Sequence, residues 1–159
     1  DALIAQVLLA CEAADGWCLV TTSRRTSTAV ERLLAERLGT HRRCRFLLIA
    51  TRDPIDGTME GMLGWADASV VTGESVSMVW EACASGRPVV VVEPPLRAHA
   101  RATPTKHQRF LRELSGDGYA RLHPVSEVSR AIQQALSERR SDKRLDTLAP
   151  VRNALAKLL

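Results

Sequence analysis

The 159 residues carry 45% hydrophobic side chains but only 4% aromatics, enough for one aliphatic core of the kind that sandwiches a sheet between helices. The formal charge of +4 is spread over 22 basic and 18 acidic residues, and the doublets Arg24/Arg25, Arg42/Arg43 and Arg139/Arg140 have no interleaved aromatics; a stacking platform for single-stranded nucleic acid is excluded, and no nucleic-acid partner is expected. No apolar run approaches the roughly 20 residues that span a bilayer, no charged-then-apolar leader opens the chain, and Cys11, Cys18, Cys44 and Cys83 sit in apolar stretches without CxxC spacing, as small buried hydrophobes of a reducing, cytoplasmic compartment.

Leu3, Ile4, Val7, Leu8 and Cys11 recur at helical spacing and Asp15-Gly16 closes them off, which predicts a helix over 2–14. Trp17 to Thr22 is a β-branched, apolar run and predicts a strand. A polar turn at Ser23 to Ser27 follows, then Val30, Leu33, Leu34 and Leu38 predict a helix that Gly39 ends. Phe46 to Ala50 predicts a second strand of buried character, and Asp53-Pro54 and Asp56-Gly57 a turn-rich loop before a short helix through Met59, Met62, Leu63 and Trp65. Ala68 to Thr72 predicts a third strand, Ser75 to Ser85 a helix with Gly86 as its cap, and Pro88 to Val92 a fourth, strongly β-branched strand. Pro94 to Pro104 lacks apolar periodicity and is expected to be a mobile loop. A helix over Lys106 to Leu114, a turn at Gly116 to Gly118, an edge strand over Tyr119 to Leu122, a helix over Val125 to Leu136 and a last helix near Leu145 to Leu158 complete the chain.

This alternation predicts an α/β fold: a three-layer, Rossmann-like parallel sheet with helices on both faces, in a single domain over 1–159. The chain opens on Asp1 directly in a helical pattern, and the expectation is a fragment whose N-terminal domain is absent.

In open parallel sheets ligands bind at the carboxyl ends of the strands, and two loops there are equipped for phosphate. The first, Ser23-Arg24-Arg25-Thr26, sets two guanidinium groups and two hydroxyls between a strand and a helix start; arginine forks suit phosphate oxygens, although Thr26 or Ser27 also suits a plain helix cap. The second, Glu74-Ser75-Val76-Ser77-Met78, opens the helix after the third strand, where unpaired N–H groups and the positive dipole end favour a diphosphate. Glu81, about two turns into that helix, is placed to accept hydrogen bonds from ribose hydroxyls, or is a plain surface glutamate.

GxGxxG and GxxxxGK[ST] are both lacking, so neither a dinucleotide cofactor nor a P-loop is expected. His41, His99, His107 and His123 form no metal spacing and no triad order, and His99 and His107 read as solvated residues flanking a loop. Trp65 and Trp80 stand at apolar helix positions and are expected in the core. No metal, no cofactor and no catalytic residue is assigned.

The runs Thr21-Thr22-Ser23-Arg24-Arg25-Thr26, Trp65-Ala66-Asp67-Ala68, Val70-Val71-Thr72, Glu74-Ser75-Val76-Ser77-Met78, Glu81-Ala82 and Ser85-Gly86-Arg87-Pro88-Val89 resemble the mitochondrial fission family of the elongated-mitochondria type, over roughly residues 17–137. Asp56-Gly57-Thr58 stands where that family often carries Asn-Pro-Tyr. The preference for arginine over lysine points to a bacterial member, and the resemblance implies the fold of the C-terminal half of type B glycosyltransferases, which binds the nucleoside diphosphate of a sugar donor. By that likeness Ser75 to Met78 would hold the diphosphate, Glu81 the ribose and Ser23 to Thr26 a donor phosphate, with Arg24 or Arg25 offsetting leaving-group charge. Glycosyl transfer would then belong to the full-length protein and not to this fragment. Two other readings share these residues: a non-catalytic interaction protein that kept the fold, and, ranked last, a nucleotide-sugar epimerase.

Overall fold

A computed structural model describes residues 1–93, 105–138 and 145–146. In chain order they form α1 (Ala2–Ala13), β1 (Cys18–Thr21), α2 (Thr28–Leu38), β2 (Cys44–Leu48), α3 (Thr58–Trp65), β3 (Ser69–Thr72), α4 (Val76–Ala84), β4 (Val89–Val92), α5 (Lys106–Gly116), β5 (Arg121–His123), a single 3-10 turn (Val125–Glu127) and α6 (Val128–Ser137). The predicted loop at 94–104 lies outside the described residues, as does nearly all of the helix expected near 145–158.

All strand pairs are parallel, as expected. They do not form one continuous sheet, however: β1 pairs with β2, and β3, β4 and β5 form a separate ladder with β4 in the centre. The register of β1 against β2 slips between Cys18 and Leu19, an irregularity of the kind that increases local twist, and β3 bonds only to β4.

The three layers are built on β4. All four of its valines are buried, and alternation along a strand sends them to opposite faces. Val89 and Val91 pack with Val79, Ala82 and Cys83 of α4 and with Leu111 and Leu114 of α5. Val90 and Val92 pack with Ala10 of α1 and with Val128, Ala131, Ile132 and Ala135 of α6. Helices therefore cover both faces of the β3–β4–β5 sheet, which is the predicted Rossmann-like α/β arrangement.

Local signals explain where the helices start and stop. Ser27 caps α2, its Oγ accepting from the Val30 N–H at 3.4 Å. Thr105 and Gln108 form a reciprocal capping box at the start of α5. Gly86 follows α4 with φ of 73°, a left-handed turn that only glycine adopts without strain. The helix predicted to end at Leu114 runs on to Gly116, and the left-handed turn falls at Gly118. The helix predicted from Val125 opens as the 3-10 turn and becomes α6 only at Val128.

Helix α1 joins the two ladders. Its Gln6 Oε1 accepts the Ser129 N–H of α6 at 3.1 Å, while Glu12 at its far end takes Arg42 at 2.7 Å and Arg43 at 2.8 Å from the entrance to β2. The Arg43 guanidinium bonded to Glu12 holds that carboxyl below its usual range. Among the described residues no helix is long and apolar enough to cross a membrane.

Because Val90 is wholly enclosed, Val90→Thr, which keeps the branched shape but adds a hydroxyl without a partner, should destabilise the fold by about 2 kcal/mol. Chemical denaturation should show the midpoint falling at constant slope.

Candidate functional site

The loop between β1 and α2 is a compact turn held by its own side chains. The Ser23 N–H donates to Thr26 Oγ1 at 3.0 Å, the Arg25 N–H donates to Ser23 Oγ at 3.2 Å, and the Thr26 N–H donates to the Ser23 carbonyl at 3.0 Å. Three of the loop's amides and both hydroxyls are thereby engaged, so a bound anion would meet the side chains of Arg24 and Arg25. Both arginines are exposed, and neither makes an ion pair among the described residues. The cap itself is Ser27, so Thr26 serves the turn and not the helix.

The start of α4 is built differently. Its N-cap residue Ser75 makes no side-chain cap bond, and its hydroxyl lies 3.3 Å from that of Ser77. Helix bonding begins with the Val79 N–H donating to the Ser75 carbonyl at 3.1 Å, which leaves the amides of Val76, Ser77 and Met78 without intrahelical acceptors. Glu74, Val76 and Ser77 are exposed, and Ser75 and Met78 are half-buried. Glu81 is exposed one turn beyond Ser77 on the same face of the helix.

Both loops follow the carboxyl ends of parallel strands, β1 and β3, but those strands belong to different ladders. Among the described residues no hydrogen bond or ion pair joins the two loops. No group of three or more His, Cys, Asp or Glu side chains suited to hold a metal ion occurs among the described residues. A groove of about 410 Å³ lies between α1 and α2, lined by Asp1, Ala2, Ile4, Ala5, Leu8, Arg37 and His41, and includes no residue of either loop.

Several contacts and exposures escaped sequence reasoning. His107, expected to be solvated, is half-buried on α5, and its Nε2 is hydrogen-bonded to the carbonyl of Gly73, the buried residue that leads into the α4 start. The second correction is Trp65: apolar spacing placed it in the core, but it closes α3 at 87% exposure, because that short helix buries no residue fully. Trp80 is also partly exposed and stacks on Phe110 of α5 with ring centroids 6.2 Å apart. Beside the first loop, Thr22 is buried and its Oγ1 accepts the Ala50 N–H at 3.0 Å.

The model of the family described as Mitochondrial fission ELM1 matches residues 1–156. The chain belongs to the mitochondrial fission ELM1 family. It is also similar to the Arabidopsis thaliana protein named Mitochondrial fission protein ELM1, with 34% identity over 94 residues. That alignment covers 59% of this chain but only 20% of the plant protein. No solved structure matches.

The cysteines of this ELM1-family chain lie at the other end of the strands. Cys18 and Cys44 are cross-strand partners where β1 and β2 begin, and Cys11 sits near the end of α1. They are half-buried, and only Cys83 is fully buried. Burial, then the neighbouring Cys44 and Cys11 thiols, pushes the Cys18 thiol up to about 12, and burial pushes Cys83 up to about 11. Raised thiols keep their protons in the folded state, whereas unfolded cysteines ionise near their ordinary value of 9.0. Their contribution to stability is therefore present below that value and lost as pH rises towards 11 and 12. Two outcomes follow: Cys18→Ala should flatten the fall of the denaturation midpoint above pH 9, and iodoacetamide at pH 8 should label native Cys18 far more slowly than the unfolded chain, as followed by mass spectrometry.

Proposed function

We propose that this chain is the nucleoside-diphosphate-binding half of a larger protein built like a type B glycosyltransferase, and that it takes a nucleotide-sugar as its ligand. One observation carries the reading: α4 begins, after a parallel strand, without a side-chain cap, with three backbone N–H groups that lack intrahelical acceptors and with the Ser75 and Ser77 hydroxyls 3.3 Å apart in the same turn. That combination suits the two phosphates of a diphosphate. Helices α2 and α5, by contrast, carry side-chain caps that engage part of the same donor set internally.

The remaining groups fit roles around that centre. Arg24 and Arg25, exposed and without ion pairs among the described residues, would offset charge on a leaving phosphate. Glu81, one turn below Ser77, would accept from the ribose hydroxyls. Acceptor binding and any general base would come from an N-terminal domain of the same protein, so this chain by itself binds ligand without turning it over. The alignment with the plant relative spans 20% of that protein's length, which leaves room for such a domain.

A second reading, a non-catalytic interaction module, draws on Trp65, an indole 87% exposed at the end of α3. Calorimetric titration with uridine, guanosine, adenosine and thymidine diphosphates separates the two. Saturable binding of at least one is expected, weakened about tenfold or more by Arg24→Ala/Arg25→Ala and about fivefold by Glu81→Ala, in line with the loss of charge-assisted hydrogen bonds. Absence of binding to all four, by this chain and by the full-length protein, would sink the diphosphate reading and favour the interaction module.

A further inference from the structure

Among the described residues Glu31 is the only charged side chain that is buried, with 4% of its surface exposed. It stands in the first turn of α2, beside the exposed Thr28, Ala29 and Val30, so its burial is not a property of the helix as a whole. A buried carboxylate needs a hydrogen-bond donor, and Glu31 Oε1 accepts one from Thr51 Oγ1 at 2.6 Å. Thr51 lies just past the end of β2. The residue before it, Ala50, donates its N–H to Thr22 Oγ1 at 3.0 Å, and Thr22 is the buried residue just past the end of β1. Two side-chain bonds therefore tie the segment after β2 to both flanks of the Ser23–Thr26 turn, one before it at Thr22 and one after it at Glu31.

We infer that Glu31 is a positioning residue: acting through Thr51, it fixes the start of α2 against the end of β2 and presents Arg24 and Arg25 in one geometry to a phosphate group. The ligand in this statement rests on the diphosphate reading; the positioning does not. A negative charge near an anion site opposes binding, whereas a fixed turn favours it, so charge and position act with opposite signs. Glutamine at this place keeps the oxygen acceptor and removes the charge. Alanine removes both.

The test compares E31Q, E31A and T51V in this chain, reading backbone hydrogen exchange and calorimetric titration with inorganic pyrophosphate. E31A and T51V should speed exchange at the amides of Ser23, Arg25, Thr26 and Ala50 by about tenfold while those of Val90, Val91 and Val92 stay protected, and should weaken pyrophosphate by about tenfold. E31Q should exchange like wild type and bind pyrophosphate as tightly or more tightly. T51V keeps the Glu31 side chain and carries the test where E31A loses the fold. Faster exchange spread equally through β4 would reduce Glu31 to a general stability role and overturn the inference, as would tighter binding in E31A and E31Q alike, or no change in any variant. A wild type that binds no pyrophosphate, with the local exchange pattern intact, would remove the ligand reading and uphold the positioning role.

Discussion

Four consecutive valines, Val89 to Val92, are all enclosed, and a strand without an exposed face must be covered on both sides. That requirement organises the described part of the molecule. Helices α4 and α5 close one face over Val89 and Val91, α1 and α6 close the other over Val90 and Val92, and β3 and β5 take up the hydrogen bonds of the two strand edges. A parallel ladder flanked in this way has all its carboxyl ends on one side. Gly73 and Glu93, the first residues past β3 and β4, accordingly stand beside each other there: the Gly73 N–H donates to the Val92 carbonyl at 2.9 Å, and the Glu93 N–H to the His123 carbonyl at 2.9 Å.

The β1–β2 pair has no such enclosed strand. It is joined to the rest through α1, which contributes Ala10 to the second core and Glu12 to the Arg42 and Arg43 pairs. Polar contacts thus support this pair alongside the buried Leu38, Leu48 and Ile49. The same holds at its carboxyl end, where Thr22, Ala50, Thr51 and Glu31 are linked by side-chain hydrogen bonds. The two candidate loops accordingly rest on different supports: the α4 start is backed by an apolar core and His107, and the Ser23–Thr26 turn by a polar clasp.

Features with local causes were legible in the sequence. The β-branched run at Val89 to Val92, the glycine after α4 and the serines at the starts of α2 and α4 each act within a few residues, and the structure places each close to its predicted position. Features that depend on partners far along the chain were not. Glu31 meets Thr51 twenty residues on and His107 meets Gly73 thirty-four residues back, and no periodicity encodes such pairs. Trp65 shows the limit of apolar spacing: Leu63 of the same short helix packs against the first core, while the indole two residues later points to solvent. Sequence reasoning also merged two ladders into one sheet, because a strand pattern identifies a strand without naming its neighbour.

The ligand proposed at the carboxyl ends of β1 and β3 has a location open to direct observation. Backbone amide shifts of isotopically labelled protein, followed while a nucleoside diphosphate is added, report where binding occurs as well as whether it occurs. Saturable shifts centred on Ser23–Thr26 and Ser75–Met78 are predicted. Shifts centred instead on the groove between α1 and α2, at Ile4, Leu8 and His41, or no shifts at all, would contradict it.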